Sequence, residues 1–303
     1  MLKLSKKAAA LETSQTIALF TRAKKMKAEG LDVISLTAGE PDFPTPQPVK
    51  DAGIKAINEN FTKYTANAGI PELLKAISEK LKNENNVQFP PSQVLVSNGA
   101  KHSVYNALQA ICNRGDEVLI PAPYWVSYPE MVKLVDATPV VMNSSVKSNF
   151  KISAAQLKKA ITKKTKALLL NSPNNPTGSV YTREELETLG EVVRKTGIYV
   201  ISDEIYEKVI FDGMTHFSIG SIDAIRDQVI TVNGVSKAYS MTGWRIGYLA
   251  APAPILTGVV KIQQYAIMSA STIAQDAALV AIQEGEPEVE RMRAEYDRRR
   301  RLV

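Results

Sequence analysis

Apolar positions along this chain fall into two kinds of run. Some are short and unbroken, rich in valine, isoleucine and leucine; others are longer, with apolar residues returning every three or four positions. The short runs predict strands at 31–36, 94–97, 117–121, 137–142, 166–171, 198–203, 229–232 and 246–251. The periodic stretches predict helices at 13–29, 48–59, 70–85, 102–112, 153–162, 183–196, 254–268 and 272–283. Punctuation agrees with these boundaries. Pro71 suits a first helical turn, Ser153 an N-cap, and Gly30 and Gly197 helix stops, while Asn233-Gly234 reads as a turn.

Strand 166–171 has no polar alternation, which suits a parallel strand covered on both faces. Strand–helix alternation throughout predicts an α/β fold built on a mostly parallel, doubly wound sheet. Its ligand crevice would lie at the strands' C-terminal ends.

Composition narrows the setting. With 303 residues, 45% of them hydrophobic and 22% charged, the chain is ordinary for a globular protein. No apolar run is long enough to span a bilayer as a helix, and residues 1–7 are charged without the apolar core of a signal peptide. The single cysteine, Cys112, cannot form an internal disulfide, so a reduced cytoplasmic setting is expected. Two histidines without clustered cysteines argue against structural zinc. The net charge of +6 comes largely from Arg298 to Arg301, read as a solvated terminal block, so no nucleic-acid partner and no membrane partner are expected.

Chemistry collects where the predicted strands end. Lys237 stands between the runs 229–232 and 246–251, with Ser236 before it and Arg245 after it. Burial or neighbouring cations favour a neutral, carbonyl-capturing amine, and an arginine fork with a hydroxyl suits a phosphate monoester. Aldehyde plus phosphate on one ligand points to pyridoxal 5′-phosphate. Strand 94–97, Gly99, Ala100 and the following helix make an anion site of free amides and helix dipole. Asp203 ends a buried strand and needs a cationic partner, which a protonated pyridine nitrogen supplies. The prolines of 37–46 stiffen an extended connection in which Gly39 allows close approach to a ligand, and Asn175 presents an amide from the proline-rich loop 172–178.

The stretch S-K-A-Y-S-M-T-G-W-R-I-G-Y at 236–248 resembles the internal-aldimine signature of the fold-type I aminotransferases, and T-A-G-E-P-D-F at 37–43 resembles the bacterial aspartate aminotransferase branch. The likeness is nearly collinear from about Ser14 to Ala281. It implies that Lys237 carries the cofactor and moves a proton, that Trp125 stacks on its ring, and that Asn175 and Tyr206 meet its ring oxygen. It also implies that Ser236, Arg245 and the Gly99–Ala100–Lys101 turn hold the phosphate. Tyr64, in Y-x-x-x-x-G, would reach the phosphate of a neighbouring subunit, which makes the enzyme a homodimer. Gly39, Lys101, Trp125, Asn175 and Thr16 would face the substrate, with Lys101 pairing with a distal carboxylate and Thr16 assisting.

By themselves the residues leave Lys101 open as a solvated first-turn side chain, Tyr64 as a packing tyrosine and Trp125 as a core tryptophan. The resemblance further implies an N-terminal arm with the start of a small domain (1–44), a large cofactor domain (45–283) and a helix into an incomplete small domain (284–303). The arginine for the substrate's α-carboxylate is then expected beyond Val303. The implied reaction is transamination of L-aspartate with 2-oxoglutarate. Prephenate, aromatic or alanine transamination, or an inactive cofactor-binding form, are the alternatives.

Overall fold

The chain enters through two exposed helices, α1 (Lys6–Ala10) and α2 (Gln15–Ala28), in a computed structural model that describes residues 3–37 and 39–303. Met1, Leu2 and Ala38 of the T-A-G-E-P-D-F segment lie outside the described residues. An extended stretch leads to α3 (Gln47–Asn58) and α4 (Pro71–Asn85). Strands and helices then alternate: β1 (Val94–Ser97), α5 (Ala100–Ile111), β2 (Glu117–Ala122), α6 (Ser127–Leu134), β3 (Thr138–Asn143), α7 (Ala154–Ala160), β4 (Thr165–Asn171), α8 (Arg183–Thr196) and β5 (Tyr199–Asp203). After β6 (Val229–Gly234) and β7 (Gly247–Ala250) come α9 (Ala253–Ala266), α10 (Thr272–Glu284) and α11 (Glu286–Arg300).

Among the described residues the strands form one seven-stranded sheet in the order β1-β7-β6-β5-β4-β2-β3. Only β7 is reversed, pairing antiparallel with both β1 and β6. The other six strands therefore end on the same edge. Within β4, Leu168 and Leu170 pack with α7 and α8 residues such as Leu157 and Leu189, whereas Ala167 and Leu169 pack on the opposite face with Val104 and Leu108 of α5. Period-two geometry splits one unbroken apolar run between two cores, which is why the run needs no polar positions. Each leucine so buried contributes about 1.5–3 kcal/mol. A third cluster joins α4, α10 and α11 through Leu73, Ile77, Leu81, Ala277 and Val289.

Local signals set the ends of α8. Thr182 and Glu185 form a reciprocal capping box, and Gly197 stops the helix at φ +73°.

Three local readings are corrected. Residues 31–36 form no strand, and Leu31, Ile34 and Leu36 are exposed; an apolar run without a neighbouring edge has no ladder to join. Asn233 and Gly234 continue β6 rather than turn, opposite Tyr248 and Gly247. A Cβ on Gly234 would come within 2.9 Å of the Gly247 Cα, so close approach of two strands explains the glycine. Helix α6 is absent from the predicted elements; Pro129 occupies its first turn, where no amide is needed. No helix among the described residues is long and apolar enough to cross a membrane.

Candidate active site

Parallel strand direction brings distant loops to one edge of the sheet. There a cleft of about 1060 Å³ is lined by Thr16, Gly39, Ala100, Lys101, Trp125, Asn175, Asp203, Tyr206, Ser236, Lys237 and Arg245, so nearly all the expected residues meet. Gly99 lies just behind the wall, against Arg245. Tyr64 is not brought in: its side chain is 84% exposed, away from this chain's own cleft.

At one end the cleft is built for an anion. Gly99 has φ +87° and is the N-cap of α5, with no side chain capping the helix's first amides. Arg245, itself left-handed at φ +57°, donates from Nη1 to the Thr242 carbonyl at 2.8 Å and from Nη2 to the Asn98 carbonyl at 3.3 Å. A Cβ on Gly99 would sit 2.5 Å from Arg245 Nη2. The glycine is thus what lets a guanidinium lie against the helix N-terminus, and Ser236 lines the same cleft.

The middle holds the lysine. Lys237 Nζ donates to the Gly39 carbonyl at 2.5 Å and lies 5.7 Å from the Tyr206 ring centroid. Burial pulls its ammonium below the usual lysine range and the Arg245 charge adds to this, against opposing pulls from Glu40 and Asp203. Asn175 Nδ2 donates to the Tyr206 hydroxyl at 3.3 Å, and burial, then the Asp203 charge, pushes that phenol up to about 12. The connection 39–45 is tied down around the lysine loop. Thr242 donates to Glu40, Thr45 Oγ1 to the Ser240 carbonyl at 2.7 Å, and Trp244 Nε1 to Thr45 Oγ1 at 3.0 Å.

At the floor, Asp203 ends β5 and is only 3% exposed. Burial pushes its carboxyl up to about 6, held back by the Tyr128 hydroxyl and the Ile205 amide. Toward the mouth, Lys101 Nζ rests 4.6 Å from the Trp125 ring centroid. Partial desolvation, with Arg245 nearby, draws its pKa down.

Sequence reasoning missed several participants. Asn171 donates to the Asp203 carbonyl at 2.9 Å and accepts from the Asn175 amide at 2.8 Å, tying the loop after β4 to the ends of β4 and β5. Tyr128 bonds Asp203, and its only sequence signal was its place three residues beyond Trp125. The arginine block is also not simply solvated. Arg299 pairs with Asp42 at 2.6 Å, and Arg300, which lines the cleft, pairs with Asp212 at 2.6 Å and Asp297 at 2.7 Å. Folding α11 back brings acidic partners that the linear sequence separates.

Residues 31–303 match the family described as aminotransferase class I and II. The chain belongs to this family. It is 48% identical over 297 residues to the aspartate aminotransferase of Bacillus sp. (strain YM-2), covering 98% of this chain and 76% of the relative. It is 47% identical over 302 residues to the aspartate/prephenate aminotransferase of Cereibacter sphaeroides, covering 99% of this chain and 76% of that one. The structure of the Thermus thermophilus aspartate aminotransferase with maleate superposes with a TM-score of 0.96 at 42% identity, covering all of this chain and 79% of that one. The chain is accordingly an aminotransferase of the aspartate aminotransferase type, in a family that generally depends on pyridoxal phosphate.

Proposed function

We propose that this aminotransferase binds pyridoxal 5′-phosphate and transfers the amino group of an acidic amino acid, in the reaction of L-aspartate with 2-oxoglutarate to give oxaloacetate and L-glutamate. The observation that carries the reading is the meeting, in one cleft, of a lysine amine below its usual range, a buried carboxylate and a guanidinium-capped helix N-terminus. The cofactor fits these groups. A phosphate matches the cradle that a Cβ on Gly99 would fill, and Asp203, which has no salt-bridge partner among the described residues, matches a protonated ring nitrogen.

Lys237 would hold the aldehyde end, Asp203 the ring nitrogen, Asn175 and Tyr206 the ring oxygen, and Trp125 a ring face. Ser236, Arg245 and the amides after Gly99 would hold the phosphate. When bound, the cofactor supplies an electron-withdrawing ring that accepts charge from the substrate's α-carbon. Lys237, whose ammonium burial draws below the usual lysine range, takes and returns the proton at that carbon. Lys101, beside Trp125 and free of any salt bridge to a described residue, pairs with the distal carboxylate, with Gly39 and Thr16 lining the same side. The maleate of the Thermus structure, itself a dicarboxylate, supports this choice. A glutamate/aspartate-prephenate reaction is the second reading, supported by the aspartate/prephenate relative of nearly the same identity.

The enzyme would act as a homodimer. Ile54, Ile57, Phe61, Tyr64 and Tyr265 are exposed, and Asn67, which follows in the Tyr64 loop, bonds the Met268 carbonyl at 3.0 Å just past α9. A second copy covering this face would receive Tyr64 at its phosphate. The free, half-buried Cys112 accords with a reduced cytoplasmic setting.

Borohydride reduction of the cofactor-loaded chain, followed by peptide mapping, should place the pyridoxyl group on Lys237. Label on another lysine would refute the assignment. Profiling donors against 2-oxoglutarate, oxaloacetate and prephenate then ranks the two reactions.

A further inference from the structure

Tyr128 reaches from α6 to the end of β5. Its hydroxyl donates to Asp203 Oδ2 at 2.8 Å, and both side chains are buried. Among the described residues it is the only side chain that donates to this carboxylate; the other oxygen takes the Ile205 amide at 3.3 Å. The same tyrosine ring meets Trp125 edge-on, with centroids 5.4 Å apart and planes at 88°. One side chain therefore braces both the group at the cleft floor and the aromatic at its wall.

We propose that Tyr128 is a positioning residue that holds Asp203 as an ionised carboxylate in a single orientation, ready for the ring nitrogen. This rests on the reading that Asp203 faces a pyridine nitrogen. Four groups bear on the carboxylate: Tyr128 from α6, Glu204 next in the chain, Tyr206 from the following turn and Lys237 from the loop after β6. Burial raises Asp203, the Tyr128 hydroxyl opposes that rise, Glu204 adds to it, and the Lys237 charge opposes it again. Without the hydroxyl the buried group takes a proton more readily, and a neutral carboxyl cannot pair with a pyridinium. The competing account is packing alone, since Tyr128 belongs to the core beside Met131 and Val132.

Tyr128→Phe separates the two accounts because it keeps the ring and removes only the hydroxyl. The full chain, freed of cofactor, is titrated by tryptophan fluorescence at pH 6 and pH 8. The probes are pyridoxal phosphate and its carba-analogue, in which C–H replaces the ring nitrogen. Wild type should prefer pyridoxal phosphate. Tyr128→Phe should lose about tenfold of that preference, the size of one charge-assisted hydrogen bond, with the larger loss at pH 6 and the affinity for the analogue unchanged.

Equal weakening toward both probes at both pH values would show packing alone and overturn the proposal. A wild-type protein with no preference would instead remove the Asp203 reading on which it rests. In an Asp203→Asn background Tyr128→Phe should be silent. The same loss there, including a shared failure to fold, also overturns it.

Discussion

Asp203 sits where a carboxylate is expensive, and the chain keeps it there without a salt-bridge partner among the described residues. Its folded pKa of about 6 lies above the ordinary aspartate value of 3.8. Between those values the folded state binds more protons than the unfolded one, so stability falls as pH rises through the window and stays reduced at neutral pH. Asp203→Asn removes that term while leaving an acceptor for Tyr128. The cofactor-free variant should be more stable than wild type at pH 7.5 by up to about 3 kcal/mol, with little difference near pH 3, as read by thermal melts at both values. Lower stability at pH 7.5 would contradict it. Loaded with cofactor, the same variant should lose most of its turnover. Lys101 tests the substrate choice at the same scale. Lys101→Ser should lower kcat/KM for aspartate and glutamate about tenfold to a hundredfold, the worth of a charge-assisted bond, and spare alanine. Equal losses for acidic and neutral donors would move Lys101 from the substrate to the phosphate.

The turn after β5 carries Tyr206, and ion pairs fasten it to two helices, buried toward α4 and more exposed toward α11. Lys80 of α4 pairs with Glu207, which also accepts from Asn85, while Lys208 bridges Glu84 at 2.8 Å and Glu286 of α11 at 2.9 Å. Burial alone would raise Glu207, but Lys80, then His216, draws it down to about 2. Burial likewise pulls Lys80 down and is outweighed by Glu207 and Glu84, which leave it raised. The Glu207 contribution is thus present above the ordinary carboxylate range of about 4.5 and fades as pH falls toward about 2. Lys80→Met strands a buried carboxylate and should destabilise the protein by about 3–5 kcal/mol in urea unfolding at pH 7, and by much less at pH 3. Arg298→Ala, which breaks only exposed bonds to Glu295, should leave the unfolding curve almost unchanged. Comparable losses for the two would show that the buried pair does not hold the turn.

At the scale of the whole molecule, the proposed homodimer would cover the exposed Ile54, Ile57, Phe61 and Tyr265. Sedimentation should show a dimer, and Ile54→Glu, at a position already 55% exposed, should dissociate it without lowering monomer stability. A wild-type chain that sediments as a monomer at micromolar concentration would remove the shared-site reading. Most elements were legible in advance, because hydrophobic period is local: the unbroken 166–171 and the capped 183–196 contain their own instructions. Lys237, Ser236 and Arg245 were legible for the same reason, lying within one contiguous motif. Neighbourhood was not. The sequence could not say that residues 31–36 would find no edge, that Gly234 would stay in a strand, or that the terminal arginines would meet Asp42 and Asp212. Nor could it join Tyr128 to Asp203, 75 residues apart. By itself the sequence determined most of the strands and helices and the one motif that holds Lys237, Ser236 and Arg245 together, since both depend on residues within a few positions of one another. Only the tertiary structure decided which ends meet. That depends on how two-faced strands share their cores and on the reversed β7 that lays Gly247 against the Gly99 turn.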